Sequence, residues 1–202
     1  EVICGFGRTG EWFGSDTFGV RPTSMSFAKQ LTGGYAPLSA VAINDEMAEA
    51  IEANTEKNGV FGHGFTYGGH PLGCAVGVAA LRIYRERRIV DHVRGVAPLF
   101  QRKLREMGEH PLVGEARGVG LMGGLELAPD KSGRTMFQPA GKVGPRLAQE
   151  LMKHGVILRA IGDTLAFCPP MIITEDEVEA MFAPMETALD ATHAWAKAEG
   201  FL

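Results

Sequence analysis

Apolar and polar positions along the chain alternate between two periods, and the switches between them mark the elements. An extended run at 24–28 delivers Lys29, breaks at Gly33-Gly34 and is followed by a second extended run at 37–43, PLSAVAI. Asn44 or Asp45 is placed to cap a helix through Met47, Ala50 and Ile51 that ends at Asn58-Gly59. Pro71 suits the first turn of a helix over 72–84. That helix is apolar nearly all round (Ala75, Val76, Val78, Ala79, Leu81, Ile83), which predicts burial. Residues 89–107 repeat apolar side chains at helical spacing (Val93, Val96, Ala97, Phe100, Leu104) and stop at Gly108.

Beyond that point the pattern predicts a strand at 121–127, a polar loop with Gly and Pro at 130–144, and a helix at 145–154 closed by Gly155. A strand at 156–159 comes next; Gly162-Asp163 turns the chain, and 164–168 runs back until Pro169-Pro170. Thr174-Glu175-Asp176-Glu177 is a capping box opening a helix through Val178, Met181, Met185 and Leu189 toward Trp195. The change from glycine-rich loops to regular elements predicts two domains, 1–88 and 89–202, the second a small α+β domain with helices on one side of its sheet.

With 202 residues, 45% of them hydrophobic and 22% charged, the composition is that of a globular chain able to bury a core. A formal charge of −4 gives no basis for a nucleic-acid or anionic-membrane partner. No apolar run reaches transmembrane length. Cys4, Cys74 and Cys168 are odd in number and far apart, so they read as reduced, buried thiols of a cytoplasmic protein, with neither a disulfide frame nor a metal site. The chain opens on Glu1-Val2-Ile3-Cys4, as if within a strand and without a methionine. The expectation is therefore a C-terminal fragment lacking an N-terminal portion.

Gly5-Phe6-Gly7-Arg8-Thr9-Gly10 has the G-x-G-x-x-G spacing of a dinucleotide-binding turn. The fingerprint also requires a long amphipathic helix from within the glycines, and a second strand ending in an acid. Residues 11–22 instead hold two more glycines, a proline and three aromatics, so these glycines read as a loop.

Candidate chemistry centres on Lys29. Enclosed between two apolar strands, an ammonium loses hydration, its pKa falls, and the amine becomes able to form a Schiff base. A lysine at a strand end also snorkels to solvent for no functional reason, and the ten residues around it leave both readings open. The loop 61–70, with Thr66 among glycines before a helix, is either an anion seat or a plain tight loop. His63 and His70 lack acidic neighbours and read as ordinary hydrogen-bonded histidines. The run Arg85-Glu86-Arg87-Arg88 reads as a solvated helix exit. Arg159, following apolar residues and preceding a turn, could fork onto a carboxylate or serve as a structural ion pair.

Taken together, these segments resemble the class III, omega-type aminotransferases that use pyridoxal phosphate. Phe27-Ala28-Lys29 with Gly33-Gly34-Tyr35 and Pro37-Leu38-Ser39-Ala40 resembles the family's lysine segment, and residues 1–10 the stretch upstream of it. Residues 64–71 resemble its phosphate-contacting loop, and residues 156–174 its C-terminal part. The resemblance implies an α/β, fold-type-I enzyme fragment: the C-terminal part of the large cofactor-binding domain, then the small α+β domain. By the same resemblance Lys29 forms the internal aldimine and shuttles the proton, and Thr66 binds the cofactor phosphate of the neighbouring subunit. Val2 packs on the pyridine ring, and Arg159 pairs with the carboxylate of an amino or keto acid. It further implies a homodimer or larger assembly with a shared site, and amines and keto acids such as pyruvate as substrates. The family's pyridinium-pairing aspartate would stand immediately before Glu1, so the fragment alone is expected to be inactive. An aminomutase or decarboxylase of the same fold, or a truncated non-catalytic subunit, are the alternatives.

Overall fold

The structure is a computed structural model that describes residues 1–131 and 135–202. It divides into two compact units, Glu1–Val90 and Asp91–Leu202.

The first unit opens on turns, which overturns the expected strand at residues 2–4. The Gly5 N–H donates to the Glu1 carbonyl at 2.9 Å, curling the segment. An isolated strand leaves its backbone groups unpaired, and among the described residues no strand lies beside this one. The Glu1 carboxylate instead accepts from Gly14 N (2.9 Å) and Ser15 N (2.8 Å) at the start of α1, Gly14–Phe18. Burial pushes this carboxyl up, but the two N–H donors outweigh it and hold it below its ordinary value. Residues 5–10 form the expected loop, and the helix after them has only five residues. Phe6, Phe13 and Phe27 pack with ring centroids 5.5–5.7 Å apart, tying that loop to the first strand.

Strands β1 (Ser24–Phe27) and β2 (Ala40–Ile43) pair antiparallel with Phe27 opposite Ala40, so residues 28–39 form one long connection. Helix α2 (Asp45–Asn58) starts where its cap predicts: the Asn44 side chain accepts from Met47 N at 3.1 Å, and Gly59 closes it in the left-handed region. Helix α3 (Pro71–Glu86) also forms, but not the burial expected of it. Only Gly73 and Gly77 are buried, while Leu72 and Val78 are 65% and 59% exposed. Gly73 and Gly77 set one of its faces against the 28–39 connection. The thiols differ likewise: none of the three is in a disulfide, but Cys74 and Cys168 are exposed and Cys4 is half-buried. Cys74 shares the uncovered face of α3, and Cys168 lies just past a strand end before two prolines.

The second unit packs a core of its own. Helix α4 (Ile89–Met107) is followed by β3 (Val113–Val119), β4 (Met122–Leu127) and α5 (Val143–Lys153). Then come β5 (Arg159–Ile161), β6 (Thr164–Phe167), α6 (Glu175–Phe182) and α7 (Met185–Ala198). The sheet is antiparallel throughout, in the order β3-β4-β6-β5. Phe100 and Leu104 of α4, Leu125, Leu147, Leu165 and Leu189 are fully buried. Phe167 and Phe182 stack at 5.6 Å, with Phe100 edge-on to both.

Three boundaries differ from expectation. Strand β3 went unpredicted because its glycines and its exposed Glu115 and Arg117 blur the alternation. The strand expected at 156–159 begins only at Arg159, since Val156 N still donates to Leu151 O at 3.1 Å in closing α5. The single helix expected from 174 toward 195 is two, because Pro184 has no N–H to continue α6. The capping box at Thr174 and Glu177 is present with both bonds. Of the loop expected at 130–144, residues 132–134 lie outside the described residues. No helix among the described residues is long and apolar enough to cross a membrane.

Candidate active site

Lys29 stands two residues beyond β1 as the first residue of a 3-10 turn, Lys29–Leu31. Its backbone is left-handed, with φ of 44°. A non-glycine residue in that region costs about 1–3 kcal/mol and persists only where its surroundings fix it. Here they do so from two sides. Within the connection, Leu31 N donates to Ala28 O (3.0 Å), Thr32 N to Lys29 O (3.2 Å) and Gly33 N to Gln30 O (3.2 Å). The buried Thr32 hydroxyl donates to Ala36 O at 2.6 Å and pins the far end of the turn.

The second support is α3. A Cβ at Gly77 would lie 3.1 Å from Leu38 Cδ2 and 3.5 Å from Leu31 O; one at Gly73 would lie 3.4 Å from Pro37 O. Spaced i, i+4, these two glycines let the helix axis approach the lysine connection more closely than any larger residue allows. On the same face, eleven residues after Gly73, the Tyr84 hydroxyl donates to Gln30 O at 2.8 Å and lies 3.0 Å from Gln30 Oε1. Sequence reading missed Tyr84. Its signal was one phenol on an otherwise apolar helix face, in step with two glycines.

The Lys29 side chain is exposed, not enclosed between apolar strands. Strand β1 ends before it, and β2 begins eleven residues later. The residue lines a cavity of about 1160 Å3 whose walls include Pro37, Val41, Phe61 and Phe65, with Gly68 and Gly69 behind them. Among the described residues the Lys29 amine has no hydrogen-bond or ion-pair partner.

The loop 61–70 reaches that same cavity. Gly68 N donates to Phe65 O at 2.8 Å, closing a turn with Thr66 near its apex. Phe65 and Tyr67, on either side of Thr66, line the cavity; Thr66 itself is exposed and does not. His70 accepts the Leu72 N–H through Nδ1 at 3.2 Å, and His63 packs between the rings of Phe61 and Phe65. Val2 is half-buried in the opening turn.

Arg159 belongs to the second unit. As the first residue of β5 it faces Ala166 across the ladder, is exposed, and lines a groove of about 640 Å3 with Ile157, Cys168 and Met181. Among the described residues its guanidinium forms no ion pair, because the carboxylate sharing the groove, Glu177, is held by the Thr174 N–H and hydroxyl. Thus Lys29 and the loop carrying Thr66 meet at one cavity of the first unit. Val2 lies in that unit and Arg159 in the second.

Known proteins give this arrangement a context. The model of the family "Aminotransferase class-III" matches residues 1–189. A putrescine–pyruvate aminotransferase of Pseudomonas aeruginosa is 44% identical over 96% of this chain, which covers 42% of that protein. A mitochondrial gamma-aminobutyrate transaminase 1 of Oryza sativa subsp. indica is 43% identical over 95% of the chain, which covers 37% of that protein. Among solved structures, a transaminase with L-alanine superposes with a TM-score of 0.92 at 46% identity, covering 96% of this chain and 46% of its own. The omega transaminase of Pseudomonas jessenii in complex with PMP gives 0.92 at 43%, with 96% and 43% covered. The chain spans less than half the length of these relatives. With mixed helices and sheets that follow the fold-type-I transaminases throughout, and a family match over nearly every residue, the chain belongs to the class-III aminotransferases.

Proposed function

We propose that the whole protein is an omega-type, pyridoxal-phosphate-dependent aminotransferase, moving an amino group from an amine or omega-amino acid to a keto acid such as pyruvate. The observation that carries the reading is Lys29, a lysine fixed in a left-handed backbone at a cavity shared with a glycine loop. The named activities of the relatives, on putrescine and pyruvate and on gamma-aminobutyrate, support the substrate class.

The residues present fit the cofactor part by part. Its aldehyde calls for a primary amine, and Lys29 offers one without a partner among the described residues. Its flat ring calls for apolar walls, which Pro37, Val41 and Phe65 provide. Its phosphate calls for a hydroxyl, and Thr66, exposed on its glycine loop, has one to offer to the site of a neighbouring copy. When bound, pyridoxal phosphate supplies an electron sink for the carbon that carries the amino group.

In this reading Lys29 holds the cofactor covalently through Nζ and, once the donor has displaced it, moves the proton at the substrate carbon. Thr66 donates its hydroxyl to the phosphate in a neighbouring copy, and Val2 packs on the ring. Arg159 forks onto the substrate carboxylate and turns away for a simple amine. Phe65 and Tyr67 flank Thr66 and are 80% and 79% exposed, which supports a homodimer or larger assembly that covers them. The first unit corresponds to the C-terminal part of the large domain and the second to the small domain. Three cysteines outside any disulfide suit a reducing compartment, and the cytoplasm is the one proposed.

Lys29→Ala in the cofactor-loaded protein tests the reading. The visible absorbance of the bound cofactor should vanish, and borohydride should fix no pyridoxyl group to the chain. A band that survives the substitution refutes it.

A further inference from the structure

The Lys29 turn is held from beneath by one hydroxyl. Tyr84 Oη lies 2.8 Å from the backbone oxygen of Gln30 and 3.0 Å from its side-chain oxygen. A phenol has a single proton to give, and the shorter contact is to the backbone. Gln30 O is also the acceptor for Gly33 N at 3.2 Å, so the two bonds clamp the Gln30–Leu31 peptide, one residue beyond Lys29. Gly33 leaves the niche into which the hydroxyl fits: a Cβ there would lie 3.3 Å from Tyr84 Oη. The nearby turn bonds are made within the connection itself; Tyr84 alone among these donors comes from a helix.

We propose that Tyr84 is a positioning residue for Lys29: its bond to Gln30 O fixes the left-handed turn and thereby the direction in which the lysine amine is presented. The proposal rests on Lys29 being the cofactor-binding lysine. Tyr84 touches neither cofactor nor substrate in it; it acts through the backbone. Burial pushes the Tyr84 phenol above its ordinary value, against the opposing pull of Arg8, so the hydroxyl keeps the proton it donates across the neutral range. A lysine released from its turn still reaches the aldehyde, but from a wider set of directions. Its link to the cofactor then forms, while proton transfer, which needs near-ideal geometry, suffers.

Tyr84→Phe in the holoenzyme tests this. The visible band and the borohydride-fixed pyridoxyl group on Lys29 should persist, because the amine remains. The pH midpoint of that band should shift, and kcat should fall about 5- to 10-fold, the worth of one net hydrogen bond, with KM for the amine nearly unchanged. In the cofactor-free protein, hydrogen exchange at Thr32 and Gly33 should quicken by a similar factor while amides of α4 stay protected. An unmoved midpoint and kcat, or exchange raised equally throughout the chain, overturns the proposal. A visible band in Lys29→Ala overturns the reading of the site itself, and this proposal with it; loss of the band in Lys29→Ala alongside an inert Tyr84→Phe overturns this proposal alone.

Discussion

Asp163 is the residue on which the Arg159 end of the second unit most depends, and removing it has a calculable cost. Its Oδ1 accepts from Val143 N and Gly144 N, both at 2.9 Å, and its Oδ2 from Gly141 N at 2.6 Å. These donors lie at and just before the start of α5, where no side chain from Lys142, the N-cap, serves them. The Asp163 carbonyl also accepts Leu127 N at 3.0 Å, fastening the β5–β6 turn to the end of β4. Three charge-assisted bonds at about 1.5–3 kcal/mol each set an upper bound near 4.5–9 kcal/mol. Gly141 is partly exposed and recovers water, whereas Val143 and Gly144 are buried and would be left unsatisfied. Asp163→Ala should therefore cost about 3–4 kcal/mol. Asp163→Asn keeps one oxygen for the two buried donors and should cost only about 1–2 kcal/mol. Urea unfolding followed through Trp195, in a Trp12→Phe background, reads this unit, because Trp195 on α7 lies under the Arg146 guanidinium of α5 at 5.3 Å. An alanine variant within 1 kcal/mol of the parent, or an asparagine variant as unstable as alanine, refutes the argument (about 1 kcal/mol being what one ordinary bond contributes).

The other expectations are briefer. Lys153 holds the Glu150 carboxyl below its ordinary value, with Arg146 adding to it against burial, so its stabilisation is present above the ordinary carboxylate range and is lost as pH falls through the lowered value. Glu150→Gln should accordingly be less stable than the parent at neutral pH, and the gap should close below about pH 4 in urea titrations across pH; a gap constant with pH contradicts the assignment. Arg159→Ala should depress turnover of keto-acid acceptors by about 2–5 kcal/mol in transition-state terms, and of simple aldehydes far less. Equal losses in kcat/KM for both acceptors would argue against a carboxylate clamp.

What the sequence made legible depended on whether a short-range rule settles the matter. Helix α2 was predictable end to end because Asn44, Met47 and Gly59 carry its signals locally. The capping box at Thr174 is of the same kind. Where the expectations failed, the cause lay further away in the chain. The burial of α3 was inferred from its own composition, but burial belongs to whatever packs on a helix, and here Gly73 and Gly77 face the 28–39 connection while Leu72 and Val78 stay exposed. The strand at residues 2–4 failed for the same reason, since alternation does not supply a neighbour to pair with. For the candidate site, the motif around Lys29 was readable but its support was not: Tyr84 and Gln30 are 54 residues apart, and no local pattern joins them.

Three local conformational costs meet at the lysine connection. Lys29 adopts a backbone conformation that costs about 1–3 kcal/mol. Gly73 and Gly77 within α3 forgo about 1 kcal/mol each of helix propensity relative to alanine. These three positions lie together where the 28–39 connection meets one face of α3. Stability alone would favour alanine at both glycines and a lysine with ordinary φ. Since the methyl of Gly77→Ala would meet Leu38 Cδ2 at 3.1 Å, recovering the helix propensity would push on the loop that sets the lysine turn. The sequence keeps the turn in place at the expense of the helix, and a chain gains from that arrangement only if the direction of the Lys29 side chain matters to what the protein does.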